Sequence, residues 1–259
     1  MVISLLTDFG TADGYVGEMK GVILSMAPGV GVVDISHDVV PQDVDGARLA
    51  VARYWRRFPE GTVHLVVVDP GVGTARAAIA VSSDGRFLVG PDNGVLSPAL
   101  LVSGARVVSL PLPAHATATF HGRDVFAPAS ALLASGVPLD RLGLDFDSPV
   151  IRRTPEARRL DNGAIAGEVI AVDSFGNLVT NLVAIRGGTL EIAGRTIVVR
   201  RTYADVPAGE VIALVGSIGF VEVAVRDGNA ARVLQVARGA PVLLHPAPPL
   251  TSTSAVLGA

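Results

Sequence analysis

The chain has 259 residues, a formal net charge of −3 and no cysteine, with 49% hydrophobic and 17% charged residues. That length suits one large domain or two, and the lack of cysteine excludes disulfides, thiolate metal sites and a cysteine nucleophile. No apolar run reaches the roughly 18 residues that span a bilayer, and no basic stretch interleaved with aromatics points to nucleic acid. The expectation is a soluble, cytoplasmic protein with no membrane or nucleic-acid partner, its chemistry built from Asp, His, Arg, Asn, Ser and backbone groups.

Met1 to Asp8 carries no basic segment and reads as a first strand, not a signal peptide. The strand Val2–Thr7 ends in Thr7-Asp8-Phe9-Gly10, and Asp13 is placed to cap a helix carrying Val16, Met19, Ile23 and Met26 at helical spacing. Gly31–Ile35 is a second strand with Asp34, His37 and Asp38 clustered at its end. Pro41-Gln42-Asp43 opens a second helix, which stops at Pro59-Glu60-Gly61. Leu65–Val68 is an unbroken apolar run, read as a buried strand, and Asp69-Pro70-Gly71 ends it. Three successive strand-helix units predict a central, mainly parallel sheet flanked by helices.

From Ala78 the elements shorten: strands at 78–82 and 86–89 joined by Ser83-Asp84-Gly85, the turn Gly90-Pro91-Asp92-Asn93-Gly94, and an Ala- and Leu-rich helix over 125–135. Residues 1–150 therefore read as an α/β N-terminal domain and the basic stretch 151–166 as a solvated linker. Over 167–248 short β runs alternate with Gly- and Asn-rich turns, which predicts a small all-β, barrel-like C-terminal domain with one short helix at 229–234. Residues 249–259 read as a flexible tail.

Five groups have the composition of a site. Asp8 follows a first strand, where an acid can hold a ribose diol, bind a metal or cap a helix. Asp69 stands where ligands gather in α/β sheets, with Arg76 seven residues on. In Phe120-His121-Gly122-Arg123-Asp124 the histidine falls outside any apolar periodicity. In the β domain, Asp173-Ser174-Phe175-Gly176-Asn177 and Gly216-Ser217-Ile218-Gly219 are turns that present polar groups, whereas Glu222 lies in an alternating strand and is ordinarily solvent-facing. On chemistry alone three readings stand level. Asp8, Asp34, His37, Asp69 and His121 gather a metal for a hydrolase. Asp69, Arg76 and His121 activate water without one. Or the chain is a nucleoside-binding sensor.

Taken in order, these segments resemble the S-adenosylmethionine hydrolase (adenosine-forming) family, the hydroxide adenosyltransferases related to fluorinase and chlorinase. The matching stretches are Thr7-Asp8-Phe9-Gly10 with Asp13, Asp34 to Asp38, Pro41-Gln42-Asp43-Val44, Phe58 to Val63 and Asp69 to Gly73. They continue through Pro91-Asp92-Asn93-Gly94, Phe120 to Asp124, Asp173 to Asn177 with Thr180-Asn181, and Gly216-Ser217. The resemblance implies a homotrimer with active sites between the N-domain of one subunit and the C-domain of the next. S-adenosylmethionine is the substrate, attacked at ribose C5′ with methionine leaving, and no metal or organic cofactor takes part.

Carried over, Asp69, Arg76 and His121 are catalytic and Asp8 binds the ribose hydroxyls. Phe9 belongs to the substrate pocket, and Phe120 and Gly122 line it near the reacting carbon. Asp173, Ser217 and Glu222 contact methionine, while Asn177 and the backbone near Val225 meet adenine. Halogenase-type members carry tyrosine at the position of Asp69, fluorinase has serine at Gly122 and a long insertion at Ser83-Asp84-Gly85, and the halogenases carry tryptophan at Gln42. Ile218 and Val225 stand where fluorinase has arginines. A charged Asp69 repels a halide and suits water, so the resemblance implies hydrolysis ahead of halogenation.

Overall fold

The computed structural model describes residues 1–183 and 187–247; the tail expected over 249–259 lies outside them. The chain divides into two compact units, Met1–Arg153 and Thr154 onward. Among the described residues no helix is long and apolar enough to cross a membrane.

The first unit runs β1 (Val2–Thr7), α1 (Tyr15–Met26), β2 (Gly31–Ser36), α2 (Val44–Tyr54), β3 (Val63–Val67), β4 (Ala78–Ser83), β5 (Arg86–Pro91), α3 (Ser97–Leu100), β6 (Arg106–Ser109), α4 (Ala127–Ala134) and β7 (Leu144–Asp145). Its seven strands form one sheet in the order β2-β1-β3-β5-β4-β6-β7. Every residue of β3 is buried, as its apolar run requires. Val63, Leu65 and Val67 face a core shared with α1 and α4, while Val66 and Val68 face a second core with α2. The sheet thus has a covered face on each side.

The sheet is mixed, not mainly parallel as expected. The pairs β1–β2, β1–β3 and β3–β5 are parallel, but β4–β5, β4–β6 and β6–β7 are antiparallel. The cause is local. Ser83 pairs with Arg86, leaving a two-residue turn in which Asp84 (φ 48°) and Gly85 (φ 70°) are both left-handed. A turn that tight joins only antiparallel strands.

Helix α1 begins after Gly14, which is left-handed, and no side chain caps it, so Asp13 lacks the capping role expected of it. Asp43 does cap α2, accepting the Gly46 N–H.

The second unit contains β8 (Arg158–Arg159), β9 (Ile165–Val172), β10 (Leu178–Val183), β11 (Gly188–Ile192), β12 (Arg195–Arg200), β13 (Val211–Val215), β14 (Phe220–Val225), α5 (Ala230–Leu234) and β15 (Pro241–Pro246). β8 and the start of β9 fall within the stretch read as a linker and pair with each other. From β10 the order runs β14-β13-β12-β11-β15-β9, and β9 pairs back onto β10, closing a seven-stranded barrel with no free edge among those strands. Leu178, Leu190, Val223 and Leu244 fill it.

Candidate active site

Asp8 and Asp69 emerge at the same edge of the first sheet. β1 and β3 are parallel neighbours with Thr7 opposite Val67, so both acids lie just beyond the carboxyl ends of adjacent strands. The segment 69–76 returns the chain toward β4 in a tight loop. Thr74 donates its hydroxyl to the Gly71 carbonyl at 2.7 Å and accepts the Arg76 N–H at 3.3 Å. Gly73 is left-handed (φ 76°), and a Cβ there would come 2.5 Å from the Ala118 carbonyl, so the site needs glycine. Asn93 donates to the Val68 carbonyl at 2.9 Å, bracing the strand end that carries Asp69.

The loop directs Arg76 back at Asp69. Its Nε donates to Asp69 Oδ1 at 2.9 Å and its Nη2 to Oδ2, a two-pronged pair. The same Nη2 lies 2.9 Å from His121 Nδ1. All three side chains are buried: 5% exposed for Asp69, 9% for Arg76 and 4% for His121. The Phe126 ring lies 5.2 Å from the guanidinium carbon.

His121 sits at the start of a wide π-helical turn, Gly122–Phe126, that runs into α4. Pro128 has no N–H for the Asp124 carbonyl, which favours a break in the α-helical ladder at this point. Burial first, and then the Arg76 charge, hold the His121 pKa below its ordinary 6.5 against the opposing pull of Asp69 and Asp124. A guanidinium can only donate, so Nδ1 is the acceptor and the neutral ring carries its proton on Nε2. Buried Asp92 also feels the Arg76 charge. Burial raises its carboxyl pKa, while the Val150 N–H and Arg76 oppose the rise.

Beside this triad, Phe9, Tyr15 and Phe120 meet edge-to-face with centroids 5.3–6.0 Å apart. A Cβ on Gly122 would lie 3.2 Å from both Met19 Sδ and the Phe120 ring, so the glycine gives the rings room. Phe9, Tyr15, Phe120 and Arg123 border a cavity of about 380 Å³. Asp8 Oδ2 accepts the Gln42 N–H at 2.7 Å.

The five residues of the metal reading do not converge. Asp34 is bound to Lys20 (2.6 Å) and lies 3.0 Å from His37, and Asp69 is taken up by Arg76. Among the described residues no three acids, histidines or cysteines are grouped to hold a metal ion.

In the second unit, Asp173 accepts the N–H groups of Phe175 and Asn177 at 2.9 and 2.8 Å and the Asn177 side-chain amide at 3.0 Å. The resulting turn borders a cavity of about 670 Å³ lined by Phe175, Asn177, Tyr203, Val225 and Asp227. Tyr203 was not legible as a site residue. It sits in a 3₁₀ turn whose capping box, Thr202 with Asp205, was the one local signal in the sequence. Its phenol pKa is raised by burial, then by the charges of Glu222 and Asp173.

Glu222 is not solvent-facing. It is 8% exposed, and a Cβ on Gly216 would fall 1.9 Å from its carboxylate. Ser217 lies exposed at the tip between β13 and β14 and does not line the cavity.

The N-terminal domain of the SAM hydroxide adenosyltransferase family matches residues 3–143, and its C-terminal domain matches residues 167–243. The chain belongs to this family. A (R)-S-adenosyl-L-methionine hydrolase of Thermus thermophilus is 44% identical over 255 residues, spanning 93% of this chain and 98% of the relative. One from Salinispora arenicola is 41% identical, over 92% of this chain and 95% of the relative. A fluorinase of an Actinoplanes species stands further off, 30% identical over 95% and 93% of the two chains. A crystal structure of an uncharacterized conserved protein from Thermotoga maritima superposes with a TM-score of 0.85 at 34% identity, covering 93% of this chain and 99% of that one. Relative to the SAM hydroxide adenosyltransferase domains, the Asp69–Arg76–His121 cluster lies within the first match and the turn at Asp173 within the second.

Proposed function

We propose that this chain hydrolyses S-adenosyl-L-methionine to adenosine and L-methionine, with water attacking C5′ of the ribose. The observation that carries the reading is the buried Arg76 guanidinium, held between the Asp69 carboxylate and His121 Nδ1. The sulfonium makes methionine a neutral thioether leaving group, so departure needs no general acid. The C5′–O bond forms as the C5′–S bond breaks, and the one proton released comes from the attacking water.

In this mechanism Asp69 takes that proton and Arg76 stabilises the hydroxide-like oxygen by its fixed charge. His121 is a hydrogen-bond donor toward the water. With Nδ1 engaged by Arg76, its Nε2–H orients the water by binding an oxygen lone pair. Holding water in line with the C5′–S bond supplies the rest of the rate. No metal or organic cofactor enters this scheme.

Asp8 holds the ribose hydroxyls, Phe9, Phe120 and Gly122 shape the wall near C5′, and Asn177 with the backbone near Val225 receives adenine. Asp173, Glu222 and Ser217 serve the methionine end. The assembly proposed is a homotrimer in which each site draws its two halves from different chains.

The deciding assay incubates the protein with S-adenosylmethionine and EDTA. Equal amounts of adenosine and methionine are expected, undiminished by the chelator. No adenosine at all sinks the hydrolase reading, and a 5′-halo product on adding chloride or fluoride overturns the role given to Asp69.

A further inference from the structure

One residue, His37, grips the turn Thr7-Asp8-Phe9-Gly10 on both sides of Asp8. Its Nδ1 lies 2.9 Å from Thr7 Oγ1, and its main-chain carbonyl accepts the Gly10 N–H at 2.8 Å. Thr7 Oγ1 also accepts the Phe9 N–H at 3.3 Å, which turns the hydroxyl proton toward the imidazole. On the far side of the ring, Nε2 lies 3.0 Å from Asp34 Oδ1. That contact is electrostatic, without the alignment of a full hydrogen bond. The other Asp34 oxygen takes Lys20 Nζ at 2.6 Å, anchoring the carboxylate to α1.

Thr7 is fully buried and His37 is 6% exposed, so the Thr7–His37 contact is made away from bulk water, where losing a partner matters most. Five residues after His37 the same segment reaches Asp8 itself. The Gln42 N–H binds Asp8 Oδ2, and Gln42 adopts φ 68°, a conformation that non-glycine residues hold only when their surroundings impose it. Residues 37–42 therefore touch the turn at the Thr7 side chain, the Asp8 carboxylate and the Gly10 main chain.

We propose that His37 is a positioning residue for Asp8, holding through Thr7 the carboxylate that receives the ribose diol. The inference rests on the ribose role given to Asp8 above. A carboxylate that must meet two hydroxyls at once depends on its orientation, and the Gln42 N–H meets only one of its oxygens, so the set of the turn beneath it matters.

The test is steady-state kinetics of wild type, Thr7→Val, His37→Ala and His37→Asn, each with S-adenosylmethionine and with its 2′-deoxy analogue. Thr7→Val replaces the buried hydroxyl by a methyl of equal size and keeps the packing, so it carries the test if His37→Ala fails to fold. Thr7→Val and His37→Ala are each expected to raise KM about tenfold, the weight of one buried hydrogen bond, with kcat within about twofold. His37→Asn, whose amide oxygen can accept the Thr7 hydroxyl, recovers most of the loss. With the 2′-deoxy substrate the KM of variants and wild type converges. A fall in kcat at constant KM, or the same KM ratio with both substrates, overturns the proposal. If the wild type itself binds the two substrates equally, the ribose role of Asp8 fails first and takes the proposal with it.

Discussion

At the scale of single residues, the proposed mechanism divides the labour around Arg76 between its two partners. Asp69 offers oxygen lone pairs, whereas His121 has its accepting nitrogen occupied and is left with a proton to donate. Asp69→Asn is therefore expected to lower kcat by about 10²–10⁴ with a much smaller change in KM, the range usual for loss of a general base. His121→Gln places an amide N–H near the position of Nε2 and should retain more activity than His121→Ala. Equal activities of the two would remove the donor role.

The pH profile follows from the same contacts. Protonating His121 would put a second cation against Arg76 in a buried site, and burial and Arg76 together hold its pKa below 6.5. The neutral ring, the form the proposed mechanism uses, thus persists below the ordinary histidine range. The acid limb of kcat against pH should be centred below 6.5, and a limb centred above that value would contradict the assignment.

At the scale of elements, β3 lies inside the first sheet between β1 and β5, buried on both faces, and it contains an unusual residue. His64 is fully buried between β1 and the end of α2, with Ser4 Oγ 2.7 Å from its Nδ1 and the rings of Tyr54 and Phe58 edge-on at 5.4 Å. Burial, chiefly, lowers its pKa to about 4. Between pH 4 and 6.5 the unfolded chain binds a proton here that the folded chain refuses, so stability rises with pH across that window and is lost on acidification. The loss is on the order of 3 kcal/mol, because each tenfold weakening of proton binding is worth about 1.4 kcal/mol. Chemical denaturation of the wild type at pH 4.5 and 6.5 should show this slope, and His64→Asn should flatten it even if it lowers stability throughout. An unchanged slope would place the acid sensitivity elsewhere.

At the scale of the whole molecule, two units of different construction each carry part of the proposed site. A mixed sheet bears the triad at its strand ends, and a closed barrel bears a cavity beside Asn177 and Tyr203. If sites are assembled from two chains of a trimer, two inactive variants can repair each other. Asp69→Asn chains mixed and reassembled with Asn177→Ala chains should regain part of the wild-type activity, since some sites then combine two intact halves. Light scattering should report three chains per particle. No recovery on mixing, or a monomer, would refute the shared site.

What the sequence determined by itself was largely local. The apolar run Leu65–Val68, the opening of α2 at Pro41-Gln42-Asp43, the short helix after Asn229 and the dense β pattern beyond residue 167 all follow from propensity and spacing. Asp8, Asp69, Arg76 and His121 were visible as candidates by their positions, but turn and cap roles explained the acids as well, and the family resemblance of the segments taken in order was what singled them out. Even the antiparallel half of the sheet was written in Asp84-Gly85, but it was outweighed by the expectation of three strand-helix units before it, of which the structure forms two before β3 runs directly into β4.

What only the tertiary structure decided was pairing over distance. Arg76 and His121 are 45 positions apart, and the contact between them sets the imidazole's tautomer, which no local pattern encodes. The β9–β10 pairing that closes the barrel, the burial of Glu222 against Gly216 and the inclusion of Tyr203 beside the cavity are of the same kind. Propensity acts within a turn or two of the chain. Burial, which governs the His121 pKa and encloses Glu222, is a property of whatever the fold brings alongside.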